Sequence, residues 1–266
     1  MQITTEGFLS KSSFELSRKI CSEHDGVFRS LESVLEEIKR FASEQEITEQ
    51  KTDEGRQRVI ALVLLARIIE ISEASLLVMK HGMSNETSSL FRVFLDAYFV
   101  FANVCNSANF IADYFKSDEE ARLKLLNSAA RRNSDIFAMV NEYGAQAKAE
   151  LEQKVREENI QAFNSFNYAE KVGCGEIYDS MYRICSASIH TTPRSLGKYV
   201  EEDADGNIIA INVHPWSEII PERAYDFAYF LIKVLSGTKE VFGCLNQEEI
   251  EAMVDKLNRN SSKSIE

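Results

Sequence analysis

Five side chains within one short stretch have types and spacing suited to chemistry: Tyr178, Tyr182, Arg183, Ser186 and His190. Pro193 stands shortly after them, and the residue before a proline is pushed out of the α region, so the stretch reads as a helix over 173–193 that Pro193 stops. On such a helix Tyr178, Tyr182, Ser186 and His190 recur every four residues and form one stripe. Arg183 precedes His190 by seven residues, about 20° short of two full turns, so both project into the same space. His190 falls in the last turn, where the negative end of the helix dipole favours a cation. An imidazole can serve as acid or base and a guanidinium can stabilise phosphate charge, a pairing that suits cleavage of RNA without a metal.

A second polar pair interrupts an apolar helix earlier in the chain. Arg92 and Asp96 stand four residues apart among Phe91, Phe94, Leu95, Tyr98 and Phe99. They are either an intrahelical ion pair on an exposed strip or a buried pair that needs further partners. Arg122, Lys124, Arg131 and Arg132 form a small basic strip, either solvated surface or a local patch for RNA phosphates. Ser186 and His190 could hydrogen-bond, but no Gly-x-Ser-x-Gly elbow accompanies them, which argues against a serine hydrolase. No Walker or dinucleotide-binding glycine pattern is present, and His24, His81 and His214 have no metal-ligand spacing, so neither cofactor nor metal is expected.

These residues are expected to be carried by an all-α protein. The chain has 266 residues, 11 Gly and only 3 Pro, which argues against a turn-rich β fold. Near-continuous apolar pattern over 56–81 and again over 88–115, with Gly82 between them, predicts two long antiparallel helices at the centre of a multi-helix bundle. Weaker helices over 8–24 and 27–41 lie within a peripheral N-terminal part, residues 1–50. Ser117-Asp-Glu-Glu120 reads as a capping box opening a helix to about Arg132, and 136–160 reads as a charged helix. The run 198–213, with Asp205-Gly206-Asn207 inside it, predicts a small β-hairpin. A helix from Pro221 and a last short helix after Asn246 complete a single domain over 1–260, and 258–266 reads as a disordered tail.

The formal net charge of −12 opposes a broad grip on nucleic acid or an anionic membrane, while leaving a local patch open. Five scattered cysteines, Cys21, Cys105, Cys174, Cys185 and Cys244, lack any Cys-x-x-Cys pair and fit a reducing cytoplasm. The N-terminus lacks the pattern of a signal peptide. The most apolar runs, 59–71 and 93–105, are broken by Arg67, Glu70 and Asp96, so no membrane span is expected.

Ser88-Ser-Leu-Phe-Arg92-Val-Phe-Leu-Asp96-Ala-Tyr98, followed later by Tyr182-x3-Ser186-x3-His190, resembles the bacterial domain-of-unknown-function family 5677. The family pattern is an Arg-x3-Glu helix and a Tyr-x3-Ser-x3-His helix leading into a proline loop; here Asp96 takes the place of the glutamate. That resemblance implies an all-helical fold and no established activity. Arg183-x6-His190 is similar to the Arg-x4–6-His signature of HEPN ribonucleases, helical and commonly dimeric proteins that cleave RNA without metal, frequently as toxins or phage-defence effectors. In most of them a polar residue follows the arginine, where this chain has Ile184. The resemblance implies catalytic roles for Arg183 and His190, with Arg92, Asp96, Tyr182 and Ser186 supporting them, RNA as substrate and a homodimer. The alternative is a non-catalytic helical module that uses the same pocket to bind a small anionic ligand or a partner protein.

Overall fold

In a computed structural model of the chain, residues 2–3, 7–46, 51–132, 135–212, 217–243 and 247–262 are described. Helices dominate. At the N-terminus come α1 (Lys11–Glu23) and α2 (Asp25–Ser43), then α3 (Asp53–Lys80) and α4 (Ser84–Asn106). Next are α5 (Phe110–Ala130), α6 (Ala138–Glu157) and α7 (Ser165–Lys171). A single turn, α8 (Gly175–Ile177), runs into a π-helical turn over Tyr178–Tyr182 and then α9 (Arg183–Ile189). After α10 (Pro193–Leu196), the chain closes with α11 (Ile220–Phe242) and α12 (Gln247–Ser262).

The expected central pair is present. Gly82, at φ 71°, lets the chain reverse between α3 and α4, whose helices pack side by side. Phe91, Phe94, Leu95, Phe99 and Val104 of α4 are fully buried. Opposite them stands α11, whose Phe227, Leu231, Val234 and Leu235 are equally buried. Phe91, Phe94, Phe227 and Phe230 meet edge to face across that seam, at 4.9–6.4 Å between ring centres. By contrast α3 leaves Val63 and Leu77 in solvent. By length and composition α4 is apolar enough to cross a bilayer despite Arg92 and Asp96, and within this fold 56% of its most apolar window is covered by the rest of the chain.

Several boundaries differ from the sequence reading. The helix expected to run from 88 to 115 stops at Asn106, where Ser107 turns extended, and a new helix starts at Phe110. Apolar residues continue across the break, so periodicity alone does not reveal it. Consequently Ser117 caps nothing: it lies buried inside α5. Its hydroxyl accepts the Phe163 N–H at 2.9 Å and receives the Tyr168 phenol at 3.4 Å, tethering the segment that leads into α7.

The N-terminal part is only half peripheral. While α1 buries Ser13 and Ile20 alone, α2 buries Val27, Phe28, Leu31, Val34, Leu35, Ile38 and Phe41 against α3, α11 and α12. The tail expected to be disordered from 258 is helical through Ser262, and 263–266 lie outside the described residues.

The hairpin forms from β2 (Val200–Glu202) and β3 (Ile208–Ile211). Its five-residue loop is organised by Asp203, whose carboxylate accepts the Asp205 and Asn207 N–H groups at 3.0 and 2.8 Å. Those bonds hold the Asp203 carboxyl below the usual range. A third strand, β1 (Gln2–Ile3), pairs parallel with β3.

Candidate functional site

The motif helix ends earlier than expected, and Pro193 is not its stop. His190 closes α9 with extended backbone at ψ 128°, its N–H bonded to the Ser186 carbonyl at 3.2 Å. Pro193 opens the next helix as its first residue, a position that suits its fixed φ and missing N–H, inside a reciprocal Thr192–Ser195 capping box.

The π-helical turn shapes what precedes α9. Across it Tyr178 and Tyr182 stack at 4.6 Å, and Phe166 of α7 meets Tyr178 edge to face at 5.3 Å. Tyr182 is buried and directs its ring beneath Arg92, whose guanidinium carbon lies 4.7 Å from the ring centre.

Around that contact the side chains close a circuit of hydrogen bonds. Arg92 Nη1 pairs with Asp96 Oδ2 at 3.2 Å. Asp96 Oδ1 accepts the Ser165 hydroxyl, and Ser165 Oγ in turn accepts the Tyr182 phenol at 3.1 Å. The Tyr182 carbonyl accepts Ser186 Oγ at 3.0 Å, and Ser186 Oγ accepts Arg92 Nε at 3.2 Å. The Arg92 and Asp96 side chains keep 27% and 32% of their exposure, so the pair is neither a free surface bridge nor a sealed one. Burial pushes the Tyr182 phenol up, and the bond to Ser165 opposes that rise.

Four of the six expected residues therefore meet: Arg92, Asp96, Tyr182 and Ser186. Arg183 and His190 stay outside the circuit. Arg183 pairs with Asp179 at 3.1 Å, both more than half exposed, and lies 5.8 Å over Tyr178. The His190 ring is exposed and has no hydrogen-bond partner among the described residues. Ser186, the acceptor of the Arg92 bond, sits three residues after Arg183 and four before His190. The basic strip, Arg122 and Lys124 on α5 with Arg131 and Arg132 just past its end, is exposed, with Lys124 paired to Glu120.

The sequence reading missed Ser165, whose signal is faint: it is the first residue of a seven-residue helix opened by an Asn164–Asn167 capping box. It also missed Arg223 and Asp226 on α11, an ion pair with side chains only 9% and 14% exposed. Arg223 lies over Phe91 at 5.3 Å, and its Nε is buried with no hydrogen-bond partner. Burial pushes the Asp226 carboxyl up to about 6, against the pull of Arg223, and likewise raises the buried Cys185 thiol of α9. Among the described residues no group of three or more His, Cys, Asp or Glu side chains could hold a metal ion, and Cys21, Cys105, Cys174 and Cys185 are free thiols.

The model of a family of unknown function, DUF5677, matches residues 58–208, more than half of the chain. The chain belongs to DUF5677. The matched region of this DUF5677 protein starts in α3 and ends at the first residue of β3. It holds the whole Arg92–Asp96–Ser165–Tyr182–Ser186 circuit as well as Arg183 and His190, and it leaves Arg223 and Asp226 outside. No curated protein and no solved structure matches the chain.

Proposed function

We propose that this DUF5677 protein is a HEPN-like, metal-independent endoribonuclease of a toxin or phage-defence system, acting in the cytoplasm. One observation supports the reading: Ser186, which accepts Arg92 Nε at 3.2 Å, stands three residues after Arg183 and four before the exposed His190. In the reaction the ribose 2′-hydroxyl attacks the adjacent phosphorus, the bond to the 5′-oxygen breaks, and a cyclic phosphate is left. His190 takes the 2′ proton or delivers one to the departing 5′-oxygen. Arg183 leaves its exposed bridge to Asp179, an exchange worth about 1 kcal/mol or less, and with Arg92 stabilises the charge that builds on the phosphate. One chain supplies one such imidazole, so a homodimer with two α9 helices adjacent is the expected working form.

The test pairs cleavage of a mixed RNA pool in excess chelator with thermal melts, on wild type, Arg183→Ala and His190→Ala. Loss of cleavage by about 100-fold or more in each variant, with the melting temperature held, is the expected result. A wild-type protein inert on RNA would sink the nuclease reading.

A second reading rests on a different observation. The circuit around Arg92 is complete without His190, as in a module that binds a small anionic ligand or a partner protein without catalysis. Under that reading wild type binds inorganic phosphate, Arg92→Ala weakens the binding, and His190→Ala leaves RNA untouched as wild type does.

A further inference from the structure

A hollow of about 580 Å³ opens between α5 and the segment entering α7, lined by Tyr114, Phe115, Phe163 and Tyr168 together with Asp118 and Glu120. Its rings stand at angles to one another. Tyr114 and Tyr168 meet at 64°, Tyr114 and Phe115 at 58°, and Phe163 and Tyr168 at 39°, with centres 5.9–6.2 Å apart. Rings set this way form the sides of a box. Phe115 at the rim of the hollow is 54% exposed. The box is braced from behind by Ser117, which bonds both Phe163 and Tyr168.

The lining carries two carboxylates, Asp118 and Glu120, against one ammonium, Lys124. Asp118 lies close enough to Tyr114 and Tyr168 to raise both phenols beyond the effect of burial. The Glu120 side chain is 19% exposed and pairs with Lys124, whose own side chain is 67% exposed. An ammonium group already rests on one ring of the hollow: Lys171 Nζ is 4.1 Å from the centre of Phe163. A neutral ligand would leave the carboxylates without new partners, and an anion would be repelled by them. The chain's net charge of −12 raises the local concentration of cations.

We propose that this hollow binds an organic ammonium group, held on the faces of Tyr114, Phe115 and Tyr168 and neutralised by Asp118 and Glu120. Lys124 swings into solvent as the ligand enters, a small loss for so exposed a pair. The proposal stands apart from the nuclease reading and does not depend on it. Two sources share this chemistry, a quaternary headgroup and the primary amine of a polyamine.

Calorimetric titration of the full chain with tetramethylammonium, with putrescine and with uncharged neopentyl alcohol tests it. Saturable binding of either cation is expected, with the cation that binds naming the source, and neopentyl alcohol weaker by about tenfold or more. Phe115→Ala and Glu120→Gln, both at the rim, are each expected to weaken that binding about tenfold while melting as wild type does. The proposal is overturned if neither cation saturates, if neopentyl alcohol binds as well, or if both variants bind like wild type.

Discussion

Arg92 Nε donates to Ser186 Oγ at 3.2 Å, a bond that joins helices 94 residues apart in sequence and fixes α9 against α4. Removing the counter-ion of this arginine should therefore be felt well beyond Asp96. In Asp96→Ala a half-buried guanidinium loses its partner and Ser165 loses its acceptor, so a loss of about 1–3 kcal/mol is expected. Each kcal/mol corresponds to a fall of about 2–4 °C in Tm for a chain of this size. In a double-mutant cycle with Arg92→Ala, the two losses should overlap by about 0.5 kcal/mol or more; strict additivity would show that the circuit is not coupled.

Asp226 sets a pH dependence whose direction can be derived. Its folded carboxyl lies at about 6, raised from 3.8 mainly by burial. The folded state thus holds a proton that the unfolded chain has released, and stability falls as pH rises from about 4 to about 6. The shift corresponds to a contribution of about 2–3 kcal/mol that is present in acid and absent at neutrality. Denaturant titrations of wild type and Asp226→Asn at both ends of that window check it. The variant should lack this slope, and identical slopes would mean that Asp226 titrates normally.

Phe91 is the keystone of the α4–α11 seam, touching Phe94, Phe227 and Phe230 and carrying the buried Arg223 on its face. Phe91→Ala is expected to cost about 3–5 kcal/mol, the range for a fully buried ring, and Phe91→Leu much less. Equilibrium unfolding would show the difference, and a cost below about 1 kcal/mol for the alanine variant would mean that the seam collapses onto the space.

The parts of this molecule that follow from local pattern are legible in its sequence. Long apolar runs with a glycine between them give α3 and α4, and Arg92 and Asp96 stand out because charge interrupts an aromatic run. What depends on distant partners is not legible. Ser165 reaches Asp96 across 69 residues, and nothing local distinguishes it from any first-turn serine. Arg223 and Asp226, three apart on an amphipathic helix, look like an ordinary exposed pair until the packing of α11 onto α4 covers them. The break at Ser107 is hidden for the opposite reason: Phe110, Ile111 and Tyr114 carry the apolar rhythm past it. Ser117 shows how one local pattern admits two uses, because a capping serine and a buried tether look alike in sequence.

The π-helical turn at Tyr178–Tyr182 carries one consequence for how this chain can vary. Such a turn is what a regular helix becomes when a single extra amino acid is accommodated without breaking it. Tyr178 at its start meets Phe166 of α7, and Ser186 beyond its end meets Arg92 of α4. Deleting Asp179, Ser180 or Met181 would restore regular winding while the helical faces on either side keep their directions. The site therefore absorbs a change of length here more readily than the loss of Tyr182 or Ser186.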